Sequence, residues 1–459
     1  MQIKNPATLS VIEDVPSDDA ESVARKYARA RAAQPAWANT PLERRLDCLR
    51  AFRDAVARER DALALTLTRE MGKPVTQARN ELNALAGRID FFLENTHKVL
   101  APEVVLEERD GDAVKLIESI VFEPLGVVAN ISAWNYPWFV GSNVFVPALL
   151  TGNTVLYKPS EHATLTGLAI ERLLHESGVP KDAFISVVGA GEAGATLLEQ
   201  PINGVFFTGS YRTGKKIAER VASQFVRLGL ELGGKDPTYV CEDVDVQKAA
   251  ESLADGAMYN TGQSCCSVER IYVHRAIANE FLEKFVEVVK SFNIGDPEDE
   301  KTYIGPLARE DQLAELELQV KDALGKGARL LVGGKRMPRT GFYFEPTVLT
   351  DVRDDMRVMR EESFGPIIGI GVVDSDGEAI RRMNDTEYGL TAGVYSRAAD
   401  RAETILLQVD AGSVYWNCCD RVSPRLPWTG RKHSGLGSTL SAHGIRSFLQ
   451  PKAWHRRAP

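Results

Sequence analysis

Thr154-Val-Leu-Tyr157 runs into Lys158-Pro159-Ser160-Glu161, and Gly204-Val-Phe-Phe207 runs into Thr208-Gly209-Ser210-Tyr-Arg-Thr-Gly214. In each case an apolar run of strand length breaks at a turn and gives way to a helix-like segment. Outward from these two, Val127–Ser132 begins just after Gly126, Phe184–Val188 lies between them, and Val226–Leu230 follows. Short helix-like stretches separate most of the runs. This βαβαβ rhythm predicts an α/β fold built on a doubly wound parallel sheet with right-handed crossovers. A second alternating block, from about Ala249 to Val414, predicts a second α/β domain.

The flanks differ in character. Asp18-x-x-Glu21 has the form of a capping box, and Ala/Leu/Arg/Glu-rich stretches predict helix to about Lys73 and again from Gln77 to about Lys98. Val104–Glu108 and Val114–Phe122 flank Asp110-Gly111, which predicts a β-hairpin. The end, Ser434–Pro459, is less periodic, and no repeat or low-complexity linker separates the parts.

Composition narrows the function classes. The chain has 459 residues, 44% hydrophobic and 26% charged, which is an ordinary globular balance. A net charge of −8, from 55 basic and 63 acidic side chains, argues against general affinity for nucleic acid or anionic membranes. The apolar region from Pro124 to Leu150 is broken by Asn130, Asn135, Pro137, Asn143 and Pro147, so it reads as core rather than a membrane span. The N-terminus lacks the apolar core of a signal peptide. Six cysteines, Cys48, Cys241, Cys265, Cys266, Cys418 and Cys419, fit neither a disulfide framework nor the paired spacing of a zinc site. No metal is expected, and a reducing compartment, the cytoplasm, is.

Several turns carry reactive or ligand-binding groups. Lys158 and Glu161 follow a strand's C-terminal end, where open α/β sheets bind ligands. Gly209 and Gly214 let backbone N–H groups approach a phosphate at a helix start. Gly189-Ala-Gly-Glu-Ala-Gly194 matches G-x-G-x-x-G, but no acid stands at the expected distance beyond it. Asn260-Thr-Gly262-Gln-Ser-Cys265-Cys266 sets a thiol after a glycine turn. Glu231-Leu-Gly-Gly-Lys235 ends a strand on a carboxylate, and Trp134-Asn135-Tyr-Pro137 places an amide after the first strand. Taken singly each has a plainer explanation: a tight turn, a buried small thiol, a surface acid or a packed aromatic.

Together these motifs resemble the aldehyde dehydrogenase superfamily. Trp134-Asn135-Tyr-Pro, Lys158-Pro-Ser-Glu161, Phe207-Thr-Gly-Ser-x-x-x-Gly214, Glu231-Leu-Gly-Gly-Lys235, Gly262-Gln-Ser-Cys265, Glu362-Ser-Phe364-Gly-Pro366, Asn417 and Ser434-Gly435 stand in that family's order and spacing. The resemblance implies a Rossmann-type cofactor domain over 1–105 and 125–232, an α/β catalytic domain over 233–432, and a β oligomerisation arm from 106–124 and 433–459. A homodimer or homotetramer is then expected. Ala133, Asp236, Trp428-Thr429 and Ser438-Thr-Leu-Ser441 depart from the commonest family pattern, and none of them removes a catalytic group.

The resemblance also implies oxidation of an aldehyde to a carboxylic acid with NAD, NADP being possible. Cys265 would be the nucleophile, selected over Cys266 by the family spacing, with Asn135 an oxyanion donor and Glu231 the base that activates water. Trp134, Lys158, Ser160, Glu161, Gly209, Ser210, Gly214, Glu362 and Phe364 would bind the cofactor. Phe139, Val140, Asn143, Tyr259, Val422 and Trp428 would line the aldehyde tunnel, a mixture suited to a medium-sized aliphatic or aromatic aldehyde. Arg421 and Arg425 offer the alternative of an acidic substrate such as succinate semialdehyde, although loop arginines are ordinarily just solvated. Other classes remain open: transfer to coenzyme A, against which Glu231 counts; a thiol hydrolase, against which the absence of histidine from the motifs counts; and a catalytically silent protein on the same fold.

Overall fold

Two mostly parallel sheets organise the chain in the computed structural model, which describes residues 1–458. The first has six strands. Val127–Ile131 lies between Thr154–Lys158 and Gly204–Thr208, with Phe184–Ser186 beyond the former and Arg227–Glu231 beyond the latter. These five strands are parallel, and the two-residue strand Gly435–Leu436 adds antiparallel to Arg227–Glu231 at the edge. Val127–Ile131, Thr154–Lys158 and Gly204–Thr208 are buried along their whole length, as strands covered by helices on both faces must be.

The second sheet has seven strands, with Pro237–Val240 and Arg270–His274 at its centre and parallel pairing throughout except for the edge strand Arg329–Val332. The alternation predicted for the second block is therefore present. The predicted hairpin is present too, as Glu103–Asp110 and Ala113–Pro124. Its third strand, Leu449–Arg457, lies in the segment whose periodicity predicted nothing regular, and it pairs antiparallel with Ala113–Pro124 over nine residues. Pro459, the last residue of the expected arm, lies outside the described residues.

Three helices, Ala20–Asn39, Leu42–Met71 and Val75–Leu100, account for the helical N-terminal region. Two details differ from the sequence reading. Gln2–Lys4 and Val11–Asp14 form a small antiparallel pair ahead of the first helix. The cap of that helix is Asp19, whose side chain accepts the Ser22 N–H at 2.8 Å, and not Asp18. Asp18 is drawn away because its carboxylate accepts from Val188 N–H at 2.7 Å and from Lys26 Nζ at 2.6 Å, contacts made across the fold. Among the described residues no helix is long and apolar enough to cross a membrane.

Candidate active site

The C-terminal ends of four neighbouring strands in the first sheet deliver most of the polar groups. Beyond Val127–Ile131 come Trp134 and Asn135, beyond Thr154–Lys158 come Ser160 and Glu161, and beyond Gly204–Thr208 come Gly209 and Ser210. Arg227–Glu231 ends on Glu231 itself. Cys265 arrives from the other side. The helix Val246–Met258 runs into a tight turn at which Asn260, Thr261 and Gly262 have φ of 53°, 58° and 69°. A Cβ on Gly262 would stand 2.2 Å from the Gly365 carbonyl oxygen, so only glycine fits this approach.

Hydrogen bonds tie the thiol's loop to Asn135. The Asn260 amide donates to the carbonyls of Asn135 at 3.2 Å and Gln263 at 3.0 Å, and Asn135 Nδ2 donates to Gln263 O at 3.2 Å. Among the described residues, the Cys265 N–H meets no backbone acceptor. The neighbouring thiol is turned elsewhere: Cys266 is buried and donates to Asp420 Oδ1 at 2.9 Å. Its hydrogen bond with Cys265 and its burial push the Cys266 thiol well above the usual range. Cys265 is half-buried and open to the cavities beside it.

Two cavities meet at this point. The smaller, of about 170 Å³, is walled by Trp134, Asn135, Gly209, Ser210, Glu231, Cys265, Glu362 and Phe364. The larger, of about 630 Å³, is walled by Phe139, Val140, Asn143, Tyr259, Val422 and Trp428, all six expected around an aldehyde, together with Cys265, Cys266 and Glu231. Glu231 and Cys265 belong to both walls. Lys158, Ser160 and Glu161 are not in the wall of the smaller cavity. Lys158 Nζ lies 3.9 Å from Glu161, and Ser160 Oγ donates to that carboxylate at 3.3 Å. Gly214 is buried a turn inside the helix Tyr211–Val221, where a Cβ would meet Leu232 Cδ2 at 2.5 Å. The Gly189–Gly194 pattern opens the helix Gly191–Leu197 and borders neither cavity.

Burial sets the charge state of two of the three carboxylates that wall the smaller cavity, Glu231 and Glu362. It pushes Glu231 up to about 7, against hydrogen bonds from Thr439 and Thr208 and the field of Arg88, which favour the ionised form. Burial and the nearby Glu269 push Glu362 up to about 8, opposed by the Gly234 N–H, which donates to it at 3.1 Å. Glu362 is packed closely: a Cβ on Gly233 would sit 2.3 Å from its carboxylate oxygens.

The same groups fit a dinucleotide. Ser210 caps the helix Tyr211–Val221 by accepting the Thr213 N–H, and the N–H groups of Tyr211 and Arg212 are left for a phosphate. Trp134 and Phe364, edge to face at 5.5 Å, make a flat wall, and Glu362 and Glu161 offer acceptors for ribose hydroxyls.

The sequence profile of the aldehyde dehydrogenase family matches residues 1–454. The chain belongs to the aldehyde dehydrogenase family.

Among its relatives in that family is a protein of Mycolicibacterium smegmatis, provisionally named succinate-semialdehyde dehydrogenase [NADP(+)], 37% identical over 95% of this chain and 84% of that protein. The crystal structure of lactaldehyde dehydrogenase from Escherichia coli superposes with a TM-score of 0.96 at 32% identity, covering 100% of this chain and 96% of that one. A betaine aldehyde dehydrogenase from Staphylococcus aureus in complex with NAD+ gives a TM-score of 0.95 at 31% identity, covering 100% and 92%.

Within this aldehyde dehydrogenase, several supporting contacts escaped the sequence reading. Lys235, already noted as a motif end, forms a buried ion pair with Glu269 at 2.6 Å. Glu269 also accepts the N–H groups of Ser363 and Phe364, fixing the loop that carries Glu362. A second buried pair, Lys73 with Glu81 at 2.5 Å, lies under Tyr136, and Glu81 accepts the Trp138 N–H. Asn417 serves the scaffold: at φ 53° its side chain bonds both the N–H and the carbonyl of Ser396.

Proposed function

We propose that this chain oxidises an aldehyde to a carboxylic acid with NAD or NADP, through a thiohemiacetal and a thioester on Cys265. What supports the reading most is that Cys265 and Glu231 both border the two cavities, one suited to a dinucleotide and one to an aldehyde.

The Cys265 thiolate adds to the aldehyde carbon, and negative charge moves to the carbonyl oxygen. Asn135 Nδ2 and the Cys265 N–H hold that oxyanion; one such donor is worth about 3–4 kcal/mol in a site closed to water. A bound nicotinamide supplies the acceptor for the hydride that leaves the same carbon. The thioester left on Cys265 is attacked by water that Glu231 deprotonates, and the acid departs. No histidine is needed, and no coenzyme A.

Lys158, Ser160 and Glu161 are assigned to the adenine ribose, Gly209 and Ser210 to the pyrophosphate, and Glu362 to the nicotinamide ribose, with Trp134 and Phe364 beside the ring. A 2′-phosphate about 4 Å from Glu161 meets ~1–4 kcal/mol of repulsion per unit charge between dielectrics of about 80 and 20, and the half-exposed setting favours the lower figure. The expectation is preference for NAD without exclusion of NADP. The division into cofactor domain, catalytic domain and arm, with assembly into a dimer or tetramer through the arm, belongs to the same proposal.

The test is reduction of NAD and of NADP with aliphatic, aromatic, amino- and carboxy-aldehydes in the absence of coenzyme A. Turnover that disappears in Cys265→Ala while NAD binding persists is the expected result. Silence across the panel, with and without coenzyme A, would overturn it.

A further inference from the structure

The larger cavity carries four carboxylates and three guanidinium groups, and they are not equally provided for. Each carboxylate has a donor within the protein. Glu81 has Lys73 and the Trp138 N–H, Glu231 has Thr439 and Thr208, Asp255 has the Tyr303 hydroxyl, and Asp420 has the Cys266 thiol and Ser264. The cations differ. Arg421 and Arg425 are exposed at the rim, where water satisfies them. Arg88 is only 5% exposed and, among the described residues, lies in no ion pair.

Arg88 is nevertheless firmly placed. It projects from the helix Val75–Leu100, its Nη1 donates to Asn143 Oδ1 at 2.6 Å, and its guanidinium lies 4.2 Å from the centre of the Phe139 ring. Asn143 is itself buried, and all three residues wall the cavity that contains Cys265. A guanidinium has five N–H donors, and one is used. Glu231 and Glu81 act on it through their fields without pairing with it, and a buried charge outside an ion pair costs several kcal/mol, a cost that a ligand's acid group can offset. Burial draws its proton affinity down to about 10, which leaves it charged at neutral pH. A planar, partly desolvated fork with free donors is the complement of a carboxylate.

We propose that Arg88, braced by Asn143 and Phe139, binds a carboxylate carried by the aldehyde itself, so that the substrates are oxo acids. This rests on the assignment of Cys265 as the nucleophile of the same cavity. Arg421 and Arg425 then draw the anion toward the mouth, and Arg88 fixes it.

The test compares kcat/KM for 4-oxobutanoate and butanal, matched in length and differing in charge, in the full-length protein and in Arg88→Gln and Arg88→Lys. The wild type is expected to favour 4-oxobutanoate, and Arg88→Gln to lower the ratio of the two values about tenfold or more, mainly through KM for the oxo acid. Arg88→Lys, which keeps the charge and loses the fork, should fall between. Should Arg88→Gln fail to fold, inhibition of the wild type gives the same answer: butanedioate should compete with the aldehyde, and butanamide should not. A ratio unchanged in Arg88→Gln, or equal losses on both substrates as expected of a residue that only tunes Glu231, would overturn the inference, as would butanedioate that fails to compete. Oxidation of butanal with no preference for the oxo acid would overturn it while leaving the proposed function standing; oxidation of no aldehyde at all would remove both.

Discussion

With burial holding Glu231 near 7, the base proposed there is half protonated at neutral pH. Only its ionised form can take a proton from water, so where thioester hydrolysis limits turnover, kcat should rise with pH through about 7 and level off above it. A pH profile of kcat checks the sign; a profile flat from pH 6 to 8 would place the base elsewhere. Glu231→Gln should keep the first burst of reduced cofactor and slow steady turnover by about 10²–10⁴. Glu161→Ser should bring the affinities for NAD and NADP closer together, measured by titration of each. These groups were legible because each stands in a motif at a strand end or glycine turn. Arg88 and Glu269 were not, because their contacts are tertiary: Arg88 meets Asn143 55 positions away, and Lys235 meets Glu269 34 positions away. A weaker signal was present. Gln77, Glu81 and Arg88 interrupt the buried stripe of Ala78, Leu82, Leu85 and Ile89, and polar groups on a core face require partners or a ligand.

Among the elements, the loop carrying Glu362 and the turn carrying Cys265 are held by different means. Lys235→Met should leave the Glu269 carboxylate buried without its cation and destabilise the protein by about 3–5 kcal/mol, read from urea unfolding. Stability equal to wild type would show that the N–H groups of Ser363 and Phe364 suffice. Gly262→Ala, by contrast, forces a Cβ against the Gly365 carbonyl at a left-handed φ, and should lower both activity and thermal midpoint. The parallel strands were readable from their apolar runs and turns. The true cap at Asp19 was not, since Asp18 presents the same chemistry one position earlier and only the Val188 and Lys26 contacts separate the two. The strand Leu449–Arg457 was equally hidden: eight of its nine residues are exposed, so no buried face marks its sequence with a period.

For the molecule as a whole, that strand completes a three-stranded sheet with Glu103–Asp110 and Ala113–Pro124, on which Val104, Val105 and Trp454 are exposed. If the protein assembles through this sheet as proposed, truncation after Phe448 should leave Ala113–Pro124 with an open edge and lower the mass read by light scattering; an unchanged mass would separate the arm from oligomerisation. The hairpin was legible from Asp110-Gly111, whereas the pairing that closes its sheet spans most of the chain and no local pattern encodes it. The sharing of one thiol and one carboxylate between two cavities also bears on traffic through the enzyme. On the proposed mechanism, the acid formed on Cys265 would leave through the larger cavity and the spent dinucleotide through the smaller one, so neither would have to wait for the other. The departing acid should therefore obstruct only the arriving aldehyde, and a cell rich in product would slow this enzyme without loosening its hold on the cofactor.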